Sequence, residues 1–218
     1  MVEKFDRALL PASPDLSFEQ ALWSRGVQFI GGMDEAGRGA LAGPVAAGVV
    51  ILPDQAGLAV QLAGVRDSKQ MSPKQRAEWA EKLHALALAW GVGFASASEI
   101  DAIGIVPATR LAAQRALMQL RMMPQHLLLD YLRLPEVSLP QTPLVKGDQR
   151  SLSIAAASIL AKTARDGLLC DYERQYPGYG FAAHKGYGTV AHRRAMQRLG
   201  LSPIHRRSFQ WKEEDVSQ

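Results

Sequence analysis

Gly32-Met33-Asp34-Glu35-Ala36-Gly37-Arg38-Gly39-Ala40-Leu41-Ala42-Gly43-Pro44-Val45 is the stretch on which the fold turns. It links two apolar, β-branched-rich runs, residues 27–33 and 45–52, through Gly37, Gly39, Gly43 and Pro44. That pattern reads as two buried strands joined by a glycine-rich turn. Two acids, Asp34 and Glu35, fall where the first run ends. A carboxylate at the end of a buried strand is partly desolvated, so it needs a cation, a hydrogen-bond network or a metal. Consecutive strand residues point to opposite faces, so the two acids can share one site only where the backbone leaves strand geometry. Ala36 to Gly39 supply such a turn.

Working outward, the other elements follow from caps and periodicity. Before the first strand, Phe18, Leu22 and Trp23 form a short amphipathic stretch, with Ser17 as its N-cap, expected to pack on the main body. After the second strand, Ser72-Pro73-Lys74-Gln75 is a capping box with proline at the first helical position, predicting a helix to about residue 89. Residues 91–98 read as a third strand. A helix follows Pro107 and ends before Pro124, leading to His126-Leu127-Leu128-Leu129-Asp130, a buried strand that again ends on an acid. Pro143-Leu144-Val145 is a fifth strand, followed by a helix of small residues over about 152–172. One more helix is expected over about 189–199. The alternation predicts an α/β layer with a mixed sheet: residues 1–175 form the main body, with 1–25 as an N-terminal extension, and 176–218 form a small basic helical region.

Composition bounds the class. The 218 residues are 47% hydrophobic and 21% charged, as in an ordinary globular protein and unlike a disordered or fibrous one. A single cysteine, Cys170, makes no intramolecular disulfide and no cysteine-based zinc site. With no secretory signal and no apolar run of roughly 18 residues, the expectation is a soluble, cytoplasmic protein without membrane contact. The formal charge of +4 is unevenly spread. Residues 176–212 hold seven Lys and Arg, three of the five histidines and no acid; setting those seven apart from the 25 basic residues leaves 18 against 21 acidic. A local basic surface is the footprint of a phosphate-rich partner, although a merely solvated face is the bland alternative.

A further acid, Asp166, lies in the small-residue helix, where an ordinary ion pair with Lys162 one turn earlier competes with a functional reading. A helix built of Ala155, Ala156, Ala157, Ser158 and Ala161 can press against the sheet and bring Asp166 toward the strand-end acids. Clustered carboxylates without Cys/His ligands favour Mg²⁺ or Mn²⁺ over zinc. Two such ions about 3.5–4 Å apart activate a water and stabilise the leaving oxygen in phosphodiester cleavage.

The stretch quoted first resembles the signature of ribonuclease HII. The resemblance continues through Asp67-Ser68-Lys69-Gln70-Met71-Ser72, Leu129-Asp130, Lys146-Gly147-Asp148 and residues 153–162, then His184-Lys185-Gly186-Tyr187-Gly188-Thr189 and His205-Arg206-Arg207-Ser208-Phe209. The blocks stand in family order over about residues 28–210. The resemblance implies a ribonuclease H-like mixed five-stranded sheet flanked by helices, with a small C-terminal helical region. It implies metal-dependent cleavage of RNA in RNA–DNA hybrids and incision 5′ of ribonucleotides embedded in duplex DNA, leaving 3′-hydroxyl and 5′-phosphate ends. It also implies a monomer, with Mn²⁺ or Mg²⁺ held by Asp34, Glu35, Asp130 and Asp166. Gly37-Arg38-Gly39 matches the loop whose backbone reads the 2′-hydroxyl, and Tyr187 matches the tyrosine at the RNA-to-DNA junction. Gly167 and Tyr131 depart from the familiar pattern, where a basic residue and a glycine are common.

Lys69, Lys146 and Lys185 are candidates for phosphate contacts, each weighed against an ordinary surface lysine. Asp148 reads as a turn or helix cap more readily than as a further metal ligand. His184, His192 and His205 read as surface or packing groups, Trp23 and Trp90 as core residues, and Cys170 as a small buried hydrophobe. Two other classes compete with the nuclease. A binding module on the same fold would not need all four carboxylates, and a Mg²⁺-dependent phosphotransferase would need a Gly-Lys-Ser/Thr phosphate loop that the sequence lacks.

Overall fold

The computed structural model describes residues 10–211. Five strands form one mixed sheet: β1 (Ile30–Ala36), β2 (Val45–Ile51), β3 (Ala89–Ala95), β4 (His126–Asp130) and β5 (Gln141–Leu144), in the order β3-β2-β1-β4-β5. The pairs β1/β2 and β2/β3 are antiparallel, while β1/β4 and β4/β5 are parallel. This is the expected mixed five-stranded sheet flanked by helices. Around it lie α1 (Ser17–Trp23), α2 (Leu58–Gln61), α3 (Pro73–Leu86), α4 (Ala97–Ile103), α5 (Ile105–Met118), α6 (Leu152–Gln175), α7 (Phe181–His184) and α8 (Val190–Leu199). Among the described residues, no helix is long and apolar enough to cross a membrane.

The sheet has two covered faces. Met33, Leu127 and Leu129 pack with α5 residues Ala112, Ala113 and Ala116, whereas Ile30 and Leu128 pack with Ile154 of α6. The small residues of α6 do what their size predicts. A Cβ at Gly32 of β1 would lie 2.2 Å from the Ser153 backbone, and one at Gly48 of β2 would lie 2.4 Å from the Ala157 carbonyl oxygen. Glycine on the strands and alanine on the helix therefore bring α6 into backbone contact with the sheet centre. Ile154, Ile159 and Leu160 are buried in this layer, each contributing about 1.5–3 kcal/mol of hydrophobic stabilisation.

Caps explain where the boundaries differ from expectation. The Ser72/Gln75 capping box forms as predicted, but α3 stops at Leu86 because Ala87 turns extended to feed β3. The third strand ends at Ala95, since Ser96 and Glu99 make a second capping box that opens α4. Pro107 sits in the first turn of α5, where its missing N–H costs nothing. The N-terminal stretch packs on the body as expected, but the Asp15 carboxylate, not Ser17, accepts the first helical N–H, at 2.8 Å. Glu19 of α1 is fully buried and accepts from Ser151 Oγ and the Ser153 N–H, at 2.6 and 2.9 Å, which ties α1 to the start of α6. Trp90 is not core: it is 38% exposed and stacks on His84. Tyr131, at the position where glycine is familiar, adopts the left-handed φ of 63° nonetheless.

Candidate active site

The strand that carries Asp34 and Glu35 does not end before them. Both are paired in regular register, Asp34 with Gly48 and Glu35 with Ala47, and the turn starts only after Ala36. Their side chains therefore alternate. Asp34 shares the α6 face with Gly32 and is 4% exposed, while Glu35 is half-buried and accepts from Arg38 at 3.0 Å. The parallel register sets Met33 beside Leu129, so Asp34 and Asp130 follow on neighbouring strands. By the same alternation Asp130 faces α6, as Leu128 does.

The third acid on this face is Asp148, not Asp166. Ligand oxygens of Asp34, Asp130 and Asp148 all lie within 4.8 Å of one another. Asp148 stands on the short turn Gly147–Gln149 just ahead of α6. That turn is bonded to β4 through the Gly147 N–H, which donates to Asp130 Oδ1 at 2.8 Å. Of the two structural roles weighed for Asp148, the turn is present and the cap is not, because Ser151 caps α6. Asp166, expected among the metal ligands, lies outside the group and pairs with two cations, the buried Arg76 at 3.0 Å and the half-buried Lys162 at 2.8 Å. The helical pair with Lys162 weighed from sequence is thus present, and Arg76 of α3 completes it. Arg76 left no signal in the sequence beyond its place on a helix that must pack on α6.

Crowding shows in the electrostatics. Burial, then Glu35 and Asp130, push the Asp34 carboxyl well above the usual range. Burial raises Asp130 as well, against the Gly147 N–H, which favours its charge. Asp148 is pushed up to about 6 by burial and by Asp130 and Asp67. Three acids that resist simultaneous ionisation are a good match for a divalent cation, whose charge relieves all three at once. The all-oxygen donor set fits a hard ion such as Mg²⁺ or Mn²⁺.

A cleft of about 860 Å³ runs beside this group, lined by Glu35, Gly37, Arg38, Gly39, Lys69, Asp166, Lys185 and Tyr187 among others. Lys69 connects the two: it lines the cleft, and its ammonium stands 3.6 Å from Asp148. Burial opposes the Lys69 charge, yet Asp67, Asp148, Asp34 and Asp130 together hold its pKa above the ordinary value. Lys185 donates to Cys170 Sγ at 3.2 Å and to the Ala182 carbonyl, so Cys170 is a half-buried acceptor and not a sealed hydrophobe. Lys146 does not line the cleft; it adopts a left-handed φ of 54° before the turn that carries Asp148. The Tyr187 ring has Lys162 Nζ and the Arg165 guanidinium at 5.3 and 5.5 Å from its centroid.

The two loop glycines differ. Gly37 has φ +89°, and a Cβ there would fall 1.9 Å from Arg165 Nε, so its need for glycine is internal. Gly39 is exposed, and a Cβ would meet nothing within 4 Å. The basic segment also divides. Arg194, Arg198 and Arg207 are exposed, Arg193 is half-buried and donates to the Gly188 carbonyl, and Lys212 lies outside the described residues. Arg206 is only 2% exposed and faces inward, so it is not part of the basic surface read from the segment's composition. His192 and His205 are buried packing groups, as one of the two readings held.

A mixed sheet with three converging carboxylates beside a cleft lined by basic side chains defines a metal-dependent nuclease of ribonuclease H-like fold. The chain belongs to the ribonuclease HII family, whose model, described as "Ribonuclease HII", matches residues 31–212. It is 57% identical over 196 residues to the ribonuclease HII of Synechococcus sp. (strain JA-3-3Ab), covering 90% of this chain and 88% of the relative. The crystal structure of ribonuclease H2 from Pyrococcus horikoshii OT3 superposes with a TM-score of 0.68 at 25% identity, over 86% of this chain and 96% of that one. Bst-RNase HIII in complex with Mn²⁺ shares the fold, with a TM-score of 0.64 at 20% identity over 80% of this chain and 63% of that one. Membership makes the protein a metal-dependent ribonuclease, a hydrolase.

Proposed function

We propose that the protein is an endonuclease that cleaves the RNA strand of RNA–DNA hybrids and incises on the 5′ side of ribonucleotides embedded in duplex DNA, giving 3′-hydroxyl and 5′-phosphate ends. The observation that carries this reading is the convergence of Asp34, Asp130 and Asp148 within 4.8 Å at the edge of the cleft. In this reading these three, with Glu35 behind Asp34, hold Mn²⁺ or Mg²⁺, and Asp166 belongs to the cleft wall. When bound, such ions activate the attacking water and neutralise the leaving oxygen.

The chain's own residues then bind and orient. Gly39 leaves room for a sugar to reach the backbone of the Gly37-Arg38-Gly39 loop, which suits recognition of a 2′-hydroxyl. Tyr187 offers a ring to the neighbouring sugar. Lys69 and Lys185 at the cleft, and Lys146 beside it, are the phosphate contacts. Residues 1–175 act as the catalytic body and 176–218 as the substrate-binding region of a monomer that works in the cytoplasm, where its one cysteine stays reduced. The test is a duplex bearing one embedded ribonucleotide, incubated with Mg²⁺ or Mn²⁺. Cleavage that is lost in Asp34→Asn and Asp130→Asn while binding persists supports the reading. A wild-type protein that binds the duplex and leaves it intact is a binding module.

A further inference from the structure

Arg206 sits in the basic segment, yet its guanidinium lies beneath the glycine-rich loop and touches only backbone there. Nη2 donates to the Gly37 carbonyl at 2.7 Å, Nη1 to the Arg38 carbonyl at 2.8 Å and Nε to the Gly43 carbonyl at 3.0 Å. Arg165 of α6 repeats the pattern from the other side, donating to the carbonyls of Pro44, Ala42 and Lys185 at 2.8, 3.1 and 2.9 Å. Burial lowers the pKa of both guanidiniums, and no carboxylate bonds to either among the described residues. Two buried cations with no carboxylate bonded to them are expensive, so six charge-assisted bonds to one loop and its neighbour are what keep them there.

The geometry of the peptide unit gives this clamp a consequence at the cleft. In a trans peptide the C=O and the following N–H point in opposite directions. Fixing the Gly37 and Arg38 carbonyls inward on Arg206 turns the N–H groups of Arg38 and Gly39 outward. Neither N–H has an acceptor among the described residues, and both residues line the cleft. Two adjacent outward amides form a small concavity for an oxygen atom.

We propose that Arg206 is a positioning residue: it orients the Arg38 and Gly39 amides toward the ribose of the substrate and makes no phosphate contact itself. The proposal rests on the hybrid-cleaving reading given above. The segment that carries Arg206 is anchored at two further places. Residues Ile204 and Arg206 exchange backbone bonds with Gly43 and Leu41, at 2.8 and 2.9 Å. Asp101 of α4 accepts from the N–H groups of Arg207 and Ser208, both at 2.9 Å. Selectivity for ribose would thus be set partly from α4 and the C-terminal segment, through the backbone of the loop. A lysine at 206 keeps the charge, but its single ammonium cannot span three carbonyls.

The experiment compares wild type, Arg206→Lys and Asp101→Ala. Equilibrium binding in EDTA is measured to a duplex with one embedded ribonucleotide and to the all-deoxy duplex, across a series of KCl concentrations, alongside amide hydrogen exchange of residues 37–43. For Arg206→Lys the preference for the ribonucleotide duplex should fall about tenfold, as expected for losing charge-assisted bonds that hold the reading loop. Loop exchange should rise, and the salt dependence should stay unchanged. Asp101→Ala should move both readouts in the same direction by less, which keeps the proposal testable if Arg206→Lys fails to fold. A salt slope reduced by about one with the preference retained would make Arg206 a phosphate ligand and overturn the proposal. Unchanged exchange and preference in both variants would overturn it as well. If wild type shows no ribonucleotide preference, the substrate reading fails, and the exchange of the loop alone decides whether Arg206 positions it.

Discussion

The imidazoles of His192 and His205 meet Nε2 to Nε2 at 3.1 Å inside the C-terminal segment. Their outer nitrogens fix the protons. His192 Nδ1 faces the Tyr187 carbonyl and must donate, while His205 Nδ1 receives the Ser202 N–H and must accept, at 3.0 and 2.9 Å. One Nε2 therefore accepts from the other, and both rings are neutral.

A proton added to either ring breaks this chain, by facing two N–H groups together or by opposing Ser202. Burial, with His184 nearby, lowers both pKa values to about 4. A lowered histidine pKa means that the unfolded state binds the proton first. Stability is therefore full above about 6.5 and is lost as pH falls toward 4, by roughly 3 kcal/mol for the first ring to charge. Thermal melts between pH 7.5 and 4.5 should show this loss, and His205→Gln should flatten it. An equally steep loss in that variant would place the titrating group elsewhere.

The loop glycines predict opposite phenotypes. Gly37→Ala should lower stability by about 2 kcal/mol or more, because φ is positive and the methyl meets Arg165. Gly39→Ala should melt like wild type yet cut an embedded ribonucleotide poorly, since its methyl fills only the cleft side. Melting curves beside cleavage rates separate the two.

Asp166→Asn should act chiefly on stability. It strands Arg76, whose side chain is 9% exposed, and removal of one partner from a buried pair costs about 3 kcal/mol. Denaturant midpoints of Asp166→Asn and of the double variant Arg76→Met/Asp166→Asn measure it: the double variant should recover part of the loss. No difference between them would mean that the pair is not coupled.

Lys69→Ala should weaken duplex binding at low salt and lower the slope of log K against log salt by about one, as for a single phosphate contact. Its side chain is 73% accessible and its pairing with Asp148 is at 3.6 Å, so stability should hardly change. An unaltered slope would assign Lys69 to Asp148 alone.

Most of the sheet was legible because its strands are short apolar runs and its helices carry strong caps, as with Ser72/Gln75 and the glycine–alanine match between β1, β2 and α6. The acids were legible as a set of residue types but not as a geometry. Asp34 and Asp130 share a face only because β1 and β4 are parallel in a particular register, a long-range fact that no local pattern contains. Asp148 looked like a turn or cap since Lys146-Gly147-Asp148 precedes a helix, and the bond from Gly147 to Asp130, which sets that turn against the acids, is a long-range contact. Asp166 was favoured from its helix, whereas its two cation partners come partly from α3, ninety residues earlier. Net charge likewise hid which arginines face solvent, and burial of Arg206 is a property of the packed loop.

Cleavage of a duplex with one embedded ribonucleotide by wild type and Asp148→Asn, in Mn²⁺ and in Mg²⁺, tests the central claim most directly. Wild type should cut 5′ of the ribonucleotide and leave 3′-hydroxyl and 5′-phosphate ends. Asp148→Asn should bind the duplex and cut on the order of a thousandfold more slowly, the rate equivalent of several kcal/mol of lost metal stabilisation. An Asp148→Asn protein that cuts at the wild-type rate would contradict the assignment of Asp34, Asp130 and Asp148 as the metal-holding set.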